Sequence, residues 1–174
     1  DDTYLLAENL VVNSGEEVLD LGCGCGLLTI IAAERAQRVV AIDINPLAVE
    51  TTLENSKVNG VGGKVDGVVG DLFNPLWEGI RFDLIIFNPP YLPHHPDEDD
   101  NLADRAWCGG VDGRAVIDRF IDSVTGFMKD RGRFILIQSN LSDVGETARR
   151  IYGLRLALQK RVERRFDFET IVCI

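Results

Sequence analysis

A glycine-rich loop between an apolar segment and a helical segment constrains the fold of this chain more than any other feature. The run Val18-Leu19-Asp20-Leu21 predicts a buried strand, glycines at 22, 24 and 26 alternate with cysteines, and the composition of 27–36 predicts a helix. Glycine allows a tight turn and lets a ligand approach the backbone closely. Strand, glycine loop and helix in this order form half of a nucleotide-binding βαβ unit. We therefore expect an α/β fold.

Two further apolar segments also end at acidic residues. The run 39–42 ends at Asp43, and the strand predicted over 64–69 is followed by Gly70 and Asp71. With Asp20, three carboxylates accompany three successive strands. In an open α/β sheet ligands bind outside the carboxyl ends of the strands, so these side chains are candidates for a ligand site. Each of them taken alone can also be a turn residue or a helix cap.

The glycine pattern separates two classes of cofactor. The dinucleotide fingerprint G-x-G-x-x-G counted from Gly22 requires glycine at position 27, where this chain has Leu27. The segment from Asp20 to Gly26 instead resembles the D-x-G-x-G-x-G loop of methyltransferases that use S-adenosylmethionine. That cofactor carries an ammonium group, which favours a nearby carboxylate such as Asp20. A glycine-rich turn that binds no ligand is the alternative.

The resemblance also gives the other two carboxylates a function. Asp43 is suited to accept hydrogen bonds from both ribose hydroxyls. Asp71 is placed to accept a hydrogen bond from an adenine amine, and Leu72 and Phe73 are expected to line the adenine ring.

The apolar run Phe82–Phe87 predicts a buried strand that stops at Asn88-Pro89-Pro90-Tyr91. Two consecutive prolines end the hydrogen-bonding ladder and hold the chain in one extended path, so the Asn88 amide and the Pro89 carbonyl can be aimed at a ligand. The tetrapeptide resembles the signature of methyltransferases that act on planar nitrogens, either an adenine amine or a glutamine amide. That resemblance implies that Asn88 and Pro89 accept the N–H bonds while Tyr91 packs on the flat group. A proline-rich turn that merely ends a strand is the alternative.

The remaining elements complete the predicted fold. A helix capped by Asp2 or Thr3 opens the chain, a helix runs from 114 to about 128, and a strand covers 133–137. Ser142 is expected to cap another helix, and the last two strands are expected over 154–160 and 168–174. We therefore predict one domain over 1–174 with a truncated start. Its fold is a doubly wound seven-stranded sheet, mostly parallel with an antiparallel last strand.

The segment after Tyr91 contains paired histidines and several acidic residues. A metal site is disfavoured because no third ligand has a convincing spacing from His94 and His95. A solvated loop over 94–110 that closes over the substrate is the better interpretation.

The charge and composition of the chain narrow its function. The chain has 18 basic and 28 acidic residues, a net charge of −10 that suits nucleic acid poorly. The 129–174 part holds 10 basic against 6 acidic residues, which we interpret as a solvated surface rather than a site for an acidic partner. There is no long apolar run, so no membrane span or signal peptide is predicted and a cytoplasmic protein is expected. The four cysteines are expected to be reduced thiols.

Four stretches together resemble the HemK-type glutamine methyltransferases of translation release factors, over nearly the whole chain. They are Asp2-Thr3-Tyr4-Leu5-Leu6, the glycine loop, Asn88-Pro89-Pro90-Tyr91, and 106–120, which begins Ala-Trp-Cys-Gly-Gly-x-x-Gly-Arg. The last stretch, and the lack of an N-terminal helical domain, resemble the archaeal and eukaryotic branch. The chain departs from the family at Cys23 and Cys25, where small or hydroxylated residues are common.

The resemblance implies the activity, the site and the partners. It implies that S-adenosyl-L-methionine is bound by Thr3, Asp20, Gly22, Gly24, Gly26, Asp43, Ile44, Asp71, Leu72 and Asn88, and that Asn88, Pro89, Pro90 and Tyr91 are the catalytic residues. The expected substrate is the glutamine of a Gly-Gly-Gln loop in a release factor, and a small zinc-binding activator subunit is expected to bind an exposed edge near the second and third strands. The alternatives are an adenine-N6 methyltransferase acting on DNA or RNA, a protein lysine methyltransferase, and a scaffold that binds the cofactor without activity.

Overall fold

A computed structural model of the protein describes residues 2–93, 109–166 and 169–174. The helices in these ranges are α1 (Asp2–Asn9), α2 (Leu27–Ala33), α3 (Pro46–Val58), α4 (Ala115–Val124) and α5 (Val144–Gly153). The strands are β1 (Glu17–Leu21), β2 (Arg38–Asp43), β3 (Val65–Val69), β4 (Phe82–Phe87), β5 (Met128–Ser139), β6 (Val162–Arg165) and β7 (Thr170–Cys173). The loop predicted over 94–110 lies almost entirely outside the described residues.

The strands form one seven-stranded sheet in the order β3-β2-β1-β4-β5-β7-β6. The first five strands in that order run parallel, and β7 is antiparallel to both β5 and β6. This arrangement confirms the predicted fold class. The strand order reverses between β1 and β4, where Leu21 and Phe87 are register partners, and a ligand site is expected beyond that point.

Apolar side chains on both faces of the sheet explain why its central strands are buried. Four consecutive residues of β4, from Leu84 to Phe87, are buried, as is most of β1. Helix α4 covers one face with Phe120, whose ring centroid lies 4.7 Å from Phe87 and 5.3 Å from Phe134. Such tilted and edge-on contacts are favourable aromatic geometries. They fix the carboxyl end of β4, and with it the residues that follow.

The structure corrects three predictions near the C-terminus. Residues 154–160 do not form a strand, because the chain leaves α5 through Arg155 with a φ of +60° and the strand begins only at Val162. Ser142 is not the cap of α5. Asp143 is, since its side chain accepts a hydrogen bond of 2.9 Å from the Glu146 amide. Helix α4 ends at Val124 rather than near 128, and a 3-10 turn follows it.

No helix in the described part of the chain is both long enough and apolar enough to cross a bilayer.

Candidate functional site

The residues predicted to bind cofactor and substrate follow the carboxyl ends of β1, β2, β3 and β4. These four strands are neighbours in the sheet, so their ends lie at one edge. The backbone amide of Gly70 after β3 donates to the carbonyl of Asp43 at 2.9 Å. The carbonyl of Asn88 after β4 lies 3.5 Å from the position that a Cβ on Gly22 would take. The structure therefore brings the predicted segments together.

The glycine loop after β1 requires residues without a side chain. Gly22, Gly24 and Gly26 have φ values of +67°, +55° and +86°, which lie in the left-handed region that favours glycine. A Cβ on Gly26 would lie 3.0 Å from three atoms of Thr52, so α3 packs directly on the loop. A Cβ on Gly24 would meet no atom within 4 Å, which leaves open space in front of the backbone. A ligand can therefore approach the loop at Gly24.

Two residues of α3 that no sequence motif singles out hold this loop. The hydroxyl of Thr52, which is fully buried, lies 3.1 Å from the Gly24 carbonyl, and the side-chain amide of Asn55 donates to the Cys25 carbonyl at 2.8 Å. Both interactions join positions about 30 residues apart. Their only signal in the sequence is a pair of polar residues three apart on one helix.

The two cysteines of the loop have different surroundings. Cys23 is buried with its Sγ 3.3 Å from the Thr52 hydroxyl, whereas Cys25 is exposed. Burial, followed by the negative charge of Asp20, raises the pKa of the Cys23 thiol to about 12. Cys23 is therefore a neutral packing residue rather than a nucleophile.

Asp20 lies at the buried base of the site. Its Oδ2 accepts a hydrogen bond of 2.5 Å from the hydroxyl of Thr29, while Oδ1 is buried and has no hydrogen-bond partner among the described residues. Burial is the main cause that raises the pKa of Asp20 to about 7. The charge of Asp43 raises it further, and the Thr29 hydrogen bond opposes both. An unpaired buried acceptor is costly, so the site favours a ligand that brings a cation or a donor.

Asp43 at the end of β2 is fixed by backbone donors. Its Oδ2 accepts from the Gly24 amide at 3.0 Å and its Oδ1 from the Asn45 amide at 2.9 Å. A carboxylate has about four lone-pair sites, so acceptor capacity remains for hydroxyl groups of a ligand. The side chain of the next residue, Ile44, is 53% exposed and presents an apolar surface beside it.

The segment after β3 is arranged differently from the prediction at one position. Asp71 forms an ion pair with Arg119 of α4, a residue that the sequence did not select for this site. Leu72 follows with a φ of +49°. Phe73, predicted to line the adenine ring, is instead buried in the core, where it stacks on Phe127 with ring centroids 4.6 Å apart. Its surroundings are therefore those of a core residue.

Asn88 and Thr3 contact each other across the site. The side-chain nitrogen of Asn88 donates to the Thr3 hydroxyl at 3.0 Å, over a separation of 85 residues. The side-chain oxygen of Asn88 has no donor among the described residues, so it can accept a hydrogen bond from a ligand. Thr3 is thus placed next to the predicted catalytic residue.

Tyr91 is buried and its hydroxyl donates to Asp2. The distance from the phenol oxygen to Asp2 Oδ2 is 2.6 Å, and Tyr91 is 8% exposed. Burial is the main cause that raises the pKa of Tyr91 well above its usual value, followed by its hydrogen bond to Asp2. The phenol therefore stays neutral throughout the physiological range of pH. The sequence indicates Asp2 as a candidate helix cap and as part of the family-like stretch with Thr3, but it does not predict the contact with Tyr91.

Two glycines in the turn at 109–113 pack on the backbone of the Asn-Pro-Pro-Tyr motif. A Cβ on Gly113 would lie 2.2 Å from the Tyr91 carbonyl, and a Cβ on Gly109 would lie 2.7 Å from the Pro90 carbonyl. Neither distance is possible for a real side chain. Buried Arg114 then donates to the carbonyls of Ser142 and Asp143 at 2.6 and 2.8 Å and holds this turn against the start of α5.

The residues fit a ligand that combines a cation, hydroxyl groups and a flat apolar group. Asp20 offers the unpaired acceptor, Gly24 the open backbone, Asp43 the remaining lone pairs and Ile44 an apolar surface. These groups match the ammonium, ribose and adenine of the cofactor predicted from the sequence.

The chain is similar to known methyltransferases. The model of the methyltransferase small domain family matches residues 1–153. A relative from Methanocaldococcus jannaschii described as a putative protein N5-glutamine methyltransferase is 36% identical over 100% of this chain and 87% of its own length. Methyltransferase HEMK2 of Homo sapiens is 34% identical over 79% of this chain and 68% of its own length.

A solved structure supports the same grouping. A chain of the E. cuniculi Mtq2–Trm112 complex, described as responsible for the methylation of the translation termination factor eRF1, superposes with a TM-score of 0.73. It is 29% identical, and the match covers 99% of this chain and 92% of that one. The glycine loop, the carboxylates and the Asn-Pro-Pro-Tyr motif thus belong to a member of the methyltransferase small domain family, a HemK-type enzyme that uses S-adenosylmethionine.

Proposed function

We propose that this enzyme transfers the methyl group of S-adenosylmethionine to the side-chain amide nitrogen of a protein glutamine, in the Gly-Gly-Gln loop of a translation release factor. The observation that carries this proposal is the orientation of Asn88. Its side-chain nitrogen donates a hydrogen bond to the Thr3 hydroxyl, so its side-chain oxygen can accept an N–H of the substrate. The M. jannaschii relative, described as a putative protein N5-glutamine methyltransferase, supports glutamine as the acceptor. The E. cuniculi complex, described as responsible for the methylation of eRF1, supports a release factor as the substrate.

A glutamine amide is a poor nucleophile because its nitrogen lone pair is delocalised. The cofactor supplies an electrophilic methyl group, and the protein has to align the amide nitrogen with it. Two acceptors, the Asn88 side-chain oxygen and the Pro89 carbonyl, hold the two N–H bonds of a primary amide. Alignment of this kind can contribute on the order of 7 to 11 kcal/mol to catalysis.

The proton on the methylated nitrogen needs no dedicated base. Attack by the nitrogen would form the new N–C bond as the S–C bond of the sulfonium breaks, so that S-adenosylhomocysteine would leave. The cationic amide that remains is a strong acid and loses a proton readily to water. The acceptors at Asn88 and Pro89 also place favourable dipoles next to this developing charge.

A panel of acceptors tests the proposal. We expect labelled methyl groups to be transferred to a Gly-Gly-Gln release factor and not to DNA, tRNA or protein lysine. The Asn88→Ala variant should lose turnover by about 10²-fold, the order of magnitude for one preorganised polar contact, and this loss should exceed any loss of cofactor affinity. Measurement by scintillation counting and calorimetry separates the two effects. If adenine in DNA or tRNA were methylated faster than the release factor, the acceptor would be adenine and the glutamine proposal would be wrong.

We also propose that a small activator subunit of the Trm112 kind covers the edge strand β3. This strand pairs only with β2 among the described strands, and Val69 at its end is 50% exposed. Unpaired backbone groups and an exposed valine at a sheet edge favour the addition of another chain.

The same substitution at two exposed valines tests this interface. Val69→Lys should abolish the complex with the activator in size-exclusion chromatography, because it places a charge at the edge of β3. Val11→Lys, at a valine that is 65% exposed between α1 and β1, should leave the complex intact. A soluble and fully active monomer without any partner would count against the proposal.

A further inference from the structure

The first turn of α1 contacts both ends of the Asn-Pro-Pro-Tyr motif. Thr3 accepts a hydrogen bond from Asn88 at 3.0 Å, and Asp2 accepts one from Tyr91 at 2.6 Å. These bonds join the start of the helix to residues 85 and 89 positions away in the sequence. Helix α1 is therefore tied to the first and the last residue of the motif.

The carboxylate of Asp2 connects these two contacts. Its Oδ1 accepts from the Thr3 backbone amide at 2.7 Å and lies 3.4 Å from the Thr3 hydroxyl, while its Oδ2 accepts from Tyr91. A hydroxyl that donates toward a carboxylate has its lone pairs left as acceptors. The Thr3 hydroxyl can then only accept from Asn88, which fixes the nitrogen of the Asn88 amide toward Thr3 and its oxygen toward the substrate.

We propose that Asp2 is a positioning residue for methyl transfer, which acts through Thr3 on the orientation of the Asn88 amide and directly on the Tyr91 phenol. The inference rests on the proposed function of the site, and it adds a residue that acts through its contacts with Thr3 and Tyr91. Without the carboxylate, the Thr3 hydroxyl can rotate and the Asn88 amide can present either its nitrogen or its oxygen.

The protonation states agree with this arrangement. Burial alone would raise the pKa of Asp2, but its hydrogen bonds from Tyr91 and the Thr3 amide outweigh burial and lower the pKa below its usual value. The pKa of Tyr91 shifts in the opposite direction. Burial raises it most, followed by the hydrogen bond to Asp2 and the negative charges of Asp2 and Glu169. Asp2 is thus ionised and Tyr91 neutral at any pH at which the enzyme operates, so the hydrogen bond keeps one direction.

The variant Asp2→Ala tests the proposal, with Glu8→Ala as a matched control. Glu8 lies on the same helix and forms an exposed ion pair with Arg164, so its replacement changes the charge of α1 by the same amount. We expect Asp2→Ala to lower turnover on a Gly-Gly-Gln release factor by roughly 10-fold or more, since misplacement of about 1 Å has large effects on rate. The loss of turnover should exceed any loss of cofactor affinity, and Glu8→Ala should match the wild type in both. The conservative variant Asp2→Asn, which keeps an acceptor oxygen, should recover part of the rate.

Ionisation of Tyr91 provides a readout that does not depend on the substrate. The chain has three tyrosines, and the other two, Tyr4 and Tyr152, are exposed, so both can be replaced by phenylalanine. In that background the ultraviolet titration should show tyrosinate only at a pH above that at which a free tyrosine ionises, and Asp2→Ala should move the titration of Tyr91 to lower pH.

Two outcomes would overturn the inference. One is an Asp2→Ala turnover equal to that of Glu8→Ala, and the other is a Tyr91 titration that Asp2→Ala does not move. If Asp2→Ala fails to fold, Asp2→Asn carries both measurements. If glutamine is not the acceptor, the shift in Tyr91 ionisation is still expected, so failure of the proposed function is distinguishable from failure of this inference.

Discussion

At the scale of single residues, Asp20 has the least favourable environment in the site. It is 1% exposed, one of its oxygens lacks a partner, and burial raises its pKa to about 7. Because the folded protein binds this proton more tightly than the unfolded chain, the contribution of Asp20 to stability falls as the pH rises from its usual pKa near 4 to about 7. A cation beside the carboxylate would lower the pKa of Asp20 again, since it favours the ionised form.

We expect the binding of S-adenosylmethionine to release protons. Because burial raises the pKa of Asp20 to about 7, some unliganded molecules carry a proton on Asp20 near neutral pH, and the ammonium group of the cofactor should displace it. Calorimetry in buffers of different ionisation enthalpy should therefore show net proton release near neutral pH, and the affinity for the cofactor should rise as the pH increases through about 7.

The Asp20→Asn variant is the control for this prediction. It should bind the cofactor weakly and without proton release. In urea unfolding without cofactor, it should gain stability relative to the wild type at pH 8 compared with pH 5, because the cost of ionising Asp20 is removed. A cofactor affinity that does not change with pH would contradict the assignment of Asp20.

At the scale of structural elements, the turn formed by 109–113 sets the position of the Asn-Pro-Pro-Tyr segment. The amide of Gly109 donates to the Leu92 carbonyl at 2.8 Å, and the glycines at both ends of the turn touch the backbone of Pro90 and Tyr91. The backbone approach is so close that only glycine fits. The motif therefore depends on a turn that follows it by about 20 residues.

A pair of glycine substitutions tests this dependence. Gly113 has a φ of +72° and Gly60 a φ of +76°, so alanine should cost about 1 to 2 kcal/mol at either position from backbone strain. Only at Gly113 would the new Cβ also collide with Tyr91, since a Cβ on Gly60 meets nothing within 4 Å. We expect Gly113→Ala to lose most methyl transfer and Gly60→Ala to keep it, at comparable cofactor affinity. Equal activity of the two variants would show that the turn does not position the motif.

The sequence predicted the elements whose signals are local. Apolar runs such as Phe82–Phe87 and the glycine loop at 22–26 predicted β4, β1 and a doubly wound sheet with a ligand site at the carboxyl ends of its strands. The strand β6 was misplaced because it is short, polar and bounded by an unusual backbone at Arg155.

Contacts between distant positions were not predictable in the same way. Asp2 with Tyr91, Thr29 with Asp20 and Arg119 with Asp71 depend on packing that no local pattern records. The placement of Phe73 failed for a related reason. Its position after β3 was consistent with the site, but aromatic stacking in the core determined where the ring lies.

At the scale of the whole molecule, the charge distribution is compatible with a protein substrate. The net charge is −10. Among the described residues, six basic residues of 129–174 pair with carboxylates: Lys129 with Glu17 and Asp83, Arg133 with Glu16, Arg149 with Glu146, Arg150 with Asp118 and Asp122, Arg161 with Glu163, and Arg164 with Glu8. This pairing agrees with the interpretation of a solvated surface. A nucleic-acid substrate would require unpaired cations near the site to bind phosphates.

Single-turnover transfer to two forms of one release factor tests the central claim most directly. The forms differ only in the Gly-Gly-Gln loop, where the second has asparagine in place of glutamine and so draws the amide nitrogen back by one methylene. With saturating labelled S-adenosylmethionine, we expect the glutamine form to be methylated on its side-chain nitrogen. The asparagine form should react about 10²-fold more slowly, because the nitrogen no longer reaches the position fixed by Asn88 and Pro89. Equal rates for the two forms would contradict the glutamine mechanism.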